Sequence, residues 1–154
     1  MAVTVQTSID IDRPVDEVWA YLDNHANELH WRSPSLRRLE QLGQGPAGVG
    51  TRYEGVIGFG PGDYPYVNEL TRYEPPTRVS WKAISSAGWV IGSSGSYILE
   101  GVDGRTRLRH EITLEPNKAA GNLMMPLLNA MGSNAVMPLL KKLKEALEKQ
   151  PPRS

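Results

Sequence analysis

The chain has 154 residues, a neutral balance of 17 Lys plus Arg against 17 Asp plus Glu, and no cysteine. This balance gives no support to nucleic-acid binding by bulk electrostatics. The lack of cysteine excludes disulfides, thiolate metal sites and cysteine nucleophiles. The length predicts one domain over residues 1–150 with a loose tail at 151–154. Without a signal-like start or an apolar stretch long enough to span a membrane, a cytoplasmic protein is expected.

The first segment of the chain predicts a strand followed by two short helices. The strand over Ala2–Ile11 has an inward set of alternating residues: Val3, Val5, Thr7, Ile9 and Ile11. Pro14 then opens a helix, where its missing N–H costs nothing. Asp16 and Glu17 follow in the first turn, which favours carboxylates because the helix N-terminus is positive. A second short helix is predicted to end before Pro34.

Six further strands are predicted in the middle of the chain. They run over Leu36–Leu42, Thr51–Phe59, Tyr64–Tyr73, Arg78–Ile84, Trp89–Glu100 and Thr106–Leu114. Turn residues separate them, among them the Asp103-Gly104 pair that tight hairpins favour. Because the connections are short, the strands are expected to form an antiparallel meander. The pattern in Tyr64–Tyr73 leaves open which of its side chains point inward.

The last long stretch, Gly121–Lys149, predicts a helix in two parts. Its apolar stripe consists of Val136, Leu139, Leu140, Leu143 and Leu147, opposite a face of lysines and glutamates. Pro138 removes one backbone hydrogen bond and crowds the carbonyl of Asn134, so a kink is expected there. The part before Pro138 is rich in methionine, which suits a surface that adapts to a bound molecule. This helix is the predicted cover for one face of the curled sheet.

Four parts of the chain share one family resemblance. They are the segments SIDIDRPVDEVWAYLDN, YEPPTRVSWKA and GSYILEGVDGRTRLRHEI, and the final proline-interrupted helix. Together they resemble the START-like (SRPBCC) helix-grip superfamily, which includes polyketide cyclase/dehydrase-like proteins and the birch-pollen-allergen-like fold. The resemblance implies an α+β fold in which a curved antiparallel sheet of about seven strands, in the order β-α-α-β6-α, wraps around the C-terminal helix and encloses a cavity. Members of this group bind lipids, sterols, polyketides or plant-hormone-like molecules, and a minority catalyse cyclisation or dehydration.

Inward-facing side chains are the candidate lining of that cavity. The candidates for ligand binding are Trp31, Tyr53, Tyr66, Trp81, Trp89, Ser93, Tyr97, His110, Met124, Met125 and Leu128. Tyr66, Asn68 and Glu69 are only possible members, because the register of their strand is open. Aromatic and methionine side chains at regular spacing also occur in a plain core, so core packing is the alternative at each position. For Trp31, lining and loop packing are equally compatible with its place after the second helix.

His110 is the candidate catalytic residue because it is predicted to face inward from the last strand. A lone inward histidine is more often a satisfied core residue, and an acid–base role needs a partner such as Tyr97 or Tyr53. His25 and His30 are five positions apart, which does not align two imidazoles on one helical face. No metal and no cofactor are therefore expected.

The leading hypothesis is binding or transport of a small hydrophobic ligand, such as a lipid or a polyketide, by a monomer or homodimer. One alternative is an enzyme of the polyketide cyclase/dehydratase type, in which His110 and cavity tyrosines move protons. A weaker alternative is a protein-interaction or stress-response module whose groove binds a partner protein, which would need a large exposed apolar patch on the outer sheet face. The polar residues Gln6, Lys82 and Arg107, predicted on that face, argue against such a patch.

Overall fold

The computed structural model describes residues 3–32, 36–59, 62–86, 90–116 and 136–149. The strands are β1 (Val3–Ile11), β2 (Leu36–Leu42), β3 (Arg52–Phe59), β4 (Gly62–Glu74), β5 (Arg78–Ser86), β6 (Val90–Val102) and β7 (Arg105–Pro116). The helices are α1 (Val15–Asp23), α2 (Glu28–Trp31) and α3 (136–148), with a 3₁₀ turn at His25–Asn27. The predicted element order is confirmed.

All seven strands pair into one sheet, in the order β1-β7-β6-β5-β4-β3-β2. Sequence neighbours pair antiparallel from β2 to β7, and β1 closes onto β7 with Thr7 opposite His110. The predicted meander is therefore confirmed. Two shifts in the β4–β5 pairing, one at Val67/Asn68 and one at Leu70/Arg72, mark bulges, which bend a strand and increase its twist.

The main core lies where α1 and α3 pack on the inner face of the sheet. Its buried members are Ile11, Val18, Trp19, Tyr21, Leu22, Trp31, Tyr97, Leu99, Leu108, Leu140, Leu143 and Leu147. Pro14 is the residue before α1, with an extended backbone, rather than the first helical residue. Asp16 and Glu17 lie in the first turn, as predicted.

The residues of the apolar stripe of α3 are not all buried to the same extent. Leu140, Leu143 and Leu147 are buried, whereas Val136 and Leu139 are only half-buried at its edge. The predicted helical residues before Val136, including the carbonyl against which a kink at Pro138 was expected, lie outside the described residues. Within the described residues, α3 therefore acts as an apolar clamp on the sheet and on α1.

Polar contacts fasten the end of α3 to the junction between β1 and α1. The backbone N–H of Asp12 donates to Glu148 Oε2 at 2.8 Å, and Arg13 donates to the Glu148 carbonyl oxygen at 2.7 Å. Lys144 Nζ donates to the carbonyl oxygen of Asp10 at 2.8 Å and to Glu148 Oε2 at 2.5 Å. Although partial burial acts in the opposite sense, these donors hold the pKa of the Glu148 carboxyl below its ordinary value. We call this set of contacts the terminal latch.

The outer face of the sheet is polar. Gln6 donates to Glu111 at 3.1 Å, and Arg107 pairs with Asp10 at 3.1 Å. The large apolar side chains that are exposed among the described residues come from separate segments of the chain: Leu42, Val49, Ile84 and Val102. These observations do not support the partner-binding alternative. Within the described ranges, none of the helices combines the length and the apolar character needed to cross a membrane.

Candidate functional site

Four rings gather on the inner face of the sheet, and we call them the aromatic cluster: Trp31, Trp81, Tyr97 and His110. Tyr97 lies at the centre, with ring centroids 5.0 Å from Trp81, 5.1 Å from His110 and 6.3 Å from Trp31. Strand register explains the arrangement, because Tyr97 of β6 is directly opposite His110 of β7. The sheet supplies three of the rings, and α2 brings the fourth over them.

Several buried polar atoms on or above this face have no hydrogen-bond partner among the described residues. They are Thr7 Oγ1, Trp31 Nε1, Asn68 Oδ1 and His110 Nδ1. Thr7 and His110 are cross-strand neighbours, so two of these atoms belong to adjacent side chains. Buried polar groups in folded proteins are nearly always paired with protein or with ordered water. The inner face therefore offers donors and acceptors that a bound molecule can satisfy.

A half-buried ion pair borders the aromatic cluster, and sequence reasoning missed it. Arg32 Nη1 lies 3.0 Å from Glu28 Oε2, with 28% and 19% of the two side chains exposed. The guanidinium carbon lies 6.0 Å from the ring centroid of Trp31. Burial raises the pKa of the nearby Tyr66 hydroxyl, and the Arg32 charge acts in the opposite direction. The four-residue spacing of Glu28 and Arg32 on a helix was the available sequence signal.

Electrostatics keep the buried rings of this site neutral. Burial, and then the positive charge of Arg32, lower the pKa of His110 to about 4. Burial, and then the negative charge of Glu28, raise the pKa of the Tyr97 hydroxyl. Although desolvation alone lowers it, the pKa of Arg32 is raised by Glu28 and the nearby tyrosines. At neutral pH the site therefore presents a neutral imidazole and a neutral phenol beside a fixed cation.

The structure brings together most of the predicted site residues that it describes. Tyr66 and Asn68 point inward, which resolves the open register of β4, whereas Glu69 pairs with Arg52 at 3.1 Å on the other face. Tyr53 is half-buried, with its ring centroid 5.4 Å from that of His25. The remaining predictions lie outside the described residues or their described side chains: Trp89, Ser93, Met124, Met125 and Leu128.

The sequence matches the family model described as polyketide cyclase / dehydrase and lipid transport over residues 2–148. No curated protein matches it significantly. Solved structures resemble it across nearly its whole length. The Zhui aromatase/cyclase from Streptomyces sp. R1128 is 15% identical, with a TM-score of 0.81 over 97% of this chain and 95% of that chain.

Two further structures show the same fold at lower similarity. A START superfamily protein from Mycobacterium smegmatis is 9% identical, with a TM-score of 0.78 over 95% of this chain and 97% of that one. Norcoclaurine synthase from Thalictrum flavum, in complex with dopamine and hydroxybenzaldehyde, is 13% identical, with a TM-score of 0.68 over 98% and 90%. At such low identity the likeness concerns the fold, and it confirms the predicted α+β helix-grip architecture.

Proposed function

Since the chain belongs to the family of polyketide cyclase / dehydrase and lipid transport proteins, we propose that it binds a small hydrophobic molecule between the inner sheet face and the C-terminal helix. The observation that carries the proposal is the aromatic cluster with its unpaired buried polar atoms. Ligand sites are mostly apolar and use a few placed polar groups to orient the bound molecule. Buried orphan donors and acceptors beside stacked rings fit that description better than a plain core does.

The proposed ligand has a flat or ring-bearing apolar body and an oxygen function at one end. Rings stack well on the broad faces of Trp81 and Tyr97. An oxygen acceptor would satisfy the Trp31 N–H or the Arg32 guanidinium. Dopamine and hydroxybenzaldehyde, which are bound by norcoclaurine synthase, are ring compounds of this kind. The proposed lining comprises Thr7, Trp31, Arg32, Tyr53, Tyr66, Trp81, Tyr97 and His110 and, by their predicted position, Trp89, Ser93, Met124, Met125 and Leu128.

Native mass spectrometry of the purified protein and displacement of a fluorescent fatty acid test the binding function. We expect mass spectrometry to show a bound apolar molecule, or aromatic alcohols to displace the fluorescent fatty acid. Trp81→Ala should weaken binding by roughly tenfold or more, because it removes a large contact surface. Val49→Ala is the matched surface control, since Val49 is 70% exposed. A protein that carries no guest and takes up none of these probes would falsify the proposal.

Removing the Arg32 charge should weaken the binding of a ligand that carries a carboxylate more than the binding of an uncharged ligand. We expect the double variant Glu28→Gln/Arg32→Met, which leaves no unpaired charge, to bind 2-naphthoate about tenfold more weakly, because a hydrogen bond to a charged group is lost. Its affinity for 2-methylnaphthalene should stay within about threefold of the unchanged protein. Fluorescence titration measures both. Arg37→Met, which removes an exposed arginine paired with Asp63, is the control. Equal losses for the two probes would contradict a polar anchor at Arg32.

A cyclase or dehydratase activity is the second candidate, and one observation favours it. A fixed cation beside the aromatic cluster stabilises negative charge that develops on a carbonyl oxygen when an adjacent C–H loses its proton. His110 would have to accept that proton, and a group with a pKa of about 4 is a weak base at neutral pH. Binding is therefore the better-supported function. If His110→Ala leaves both ligand affinity and any turnover of a poly-β-carbonyl substrate unchanged, the enzymatic alternative loses its candidate residue.

A further inference from the structure

Gly95 of β6 occupies a position where any side chain would collide with the aromatic cluster. A Cβ atom built there would lie 2.5 Å from Cζ2 and 2.8 Å from Cε2 of Trp81, and 3.0 Å from the carbonyl oxygen of Glu111. Gly95 and Trp81 are cross-strand partners, so the indole lies across the backbone of its neighbour. The absence of a side chain at 95 is what lets this ring lie close against the sheet.

The same arrangement recurs on the other half of the sheet. A Cβ atom at Gly55 of β3 would overlap the ring of its cross-strand partner Tyr66, with Cε1 at 2.7 Å and with Cζ and Oη also in collision. Neither glycine is among the positive-φ positions of the described chain, which are turn residues such as Gly104. The backbone therefore does not require glycine at 55 or 95. The neighbouring ring does.

Gly101 of β6 shows that not every glycine on this face lies against an aromatic ring. It lies six positions after Gly95 in the same strand, where alternation returns the residue to the same face. A Cβ atom there would meet Val15 at 3.8 Å, which is an ordinary contact. Alanine at 101 therefore fits, and alanine at 95 does not.

We infer that Gly95 and Gly55 are specificity-determining positions, which hold Trp81 and Tyr66 flat on the sheet and so set the size of ligand that the inner face accepts. This inference rests on the proposed binding function. A methyl group at position 95 would overlap the indole and would also be tight against the Glu111 carbonyl oxygen at 3.0 Å, so the side chain, which moves more easily than the backbone, is the group that has to shift. The indole must then move away from the sheet, into the space above it that the proposed ligand would use.

The test compares Gly95→Ala with Gly101→Ala in two measurements. Fluorine NMR of protein labelled with 5-fluorotryptophan reports the position of Trp81 among the four tryptophans, with Trp81→Phe providing the assignment. Fluorescence titration with 1-hydroxypyrene and 2-naphthol, which differ in ring number but both carry a hydroxyl, reports ligand size. We expect Gly95→Ala to move the Trp81 resonance and to weaken 1-hydroxypyrene binding on the order of tenfold, with 2-naphthol changed by less than about threefold. Gly101→Ala should change neither.

The double variant Gly95→Ala/Trp81→Leu keeps the test decisive if Gly95→Ala folds poorly. Removing the indole should restore stability relative to Gly95→Ala, because the two residues are coupled through one contact. A double variant that is no more stable than Gly95→Ala, or a Trp81 resonance that does not move, overturns the inference. If the unchanged protein binds neither probe, the binding function fails and the size-setting role fails with it. An unmoved resonance in a protein that does bind overturns the role of Gly95 alone.

Discussion

Leu143→Ala is expected to lower the free energy of unfolding by about 2–5 kcal/mol, the range seen for buried leucine truncations. Leu143 is 0% exposed and belongs to the cluster that joins α3 to α1 and to the inner sheet face. Truncation leaves a cavity where rigid strands and a packed helix can relax only in part. Urea unfolding followed by far-UV circular dichroism measures the loss, with the m-value checked for constancy.

Leu139→Ala is the matched control, because it makes the same chemical change four residues earlier in the same helix. The sequence pattern alone predicts similar costs at both positions. In the structure Leu139 is half-buried at the edge of the stripe, so the remaining cavity would be open to solvent and the cost smaller. Equal losses at the two positions would contradict the graded stripe of α3.

His110 is expected to make the folded state less stable in acid, by about 3 kcal/mol between pH 7 and pH 4. Its pKa is about 4 in the folded protein and about 6.5 in the unfolded chain, where no burial or Arg32 charge acts on it. As the pH falls below about 6.5, the unfolded chain binds a proton that the folded protein does not bind. The stabilisation by neutral His110 is therefore complete above pH 6.5, declines toward pH 4 and changes no further below it.

The measurement is the free energy of unfolding at several pH values for the unchanged protein and for His110→Gln. Groups that face His110 from neighbouring elements are Thr7 on β1, Trp81 on β5, Tyr97 on β6 and the Arg32 cation. Carboxylates such as Glu148 add their own acid dependence, so the difference between the two proteins is the informative quantity. His30→Gln, at an exposed position, should keep the original pH dependence. A His110→Gln variant with the same slope as the unchanged protein would show that this imidazole titrates normally.

The alternation of apolar and polar residues along the strands correctly predicted which of their side chains face the inside of the sheet. Alternation in β1 and β7 placed Thr7 and His110 on one face, and the pairing of the two strands puts them side by side. The same rule oriented Trp81 and Tyr97 correctly, because β5 and β6 pair without a shift between Arg78 and Lys82. In a regular strand with one buried face, the alternation of apolar and polar residues shows which side chains point inward.

The rest of the site depends on features that no local pattern encodes. The register shift between Leu70 and Arg72 leaves one extra residue in β4 and breaks its alternation, so the inward positions of Tyr66 and Asn68 could not be separated from Glu69 beforehand. The four-residue spacing of Glu28 and Arg32 is typical of a solvated helical pair, and only the docking of α2 against β2 and the aromatic cluster makes the pair half-buried. The collision at Gly95 arises between two strands, and glycine in a strand does not reveal which ring it accommodates.

The terminal latch has a consequence for the order in which the protein folds. Three of its contacts join residues that are 134 to 136 positions apart in the sequence, and the paired residues of β1 and β7 are 95 (Ile11 and Thr106) to 111 (Val3 and Leu114) positions apart. Contacts of such long separation close large loops, which slows folding and raises the contact order of the topology. On the ribosome, β1 emerges before the six other strands of this sheet but finds its partner only after β7 has been made. We therefore expect β1 to be a vulnerable strand of the nascent chain, because both of its edges are unpaired and available to other strands until β7 pairs with one of them.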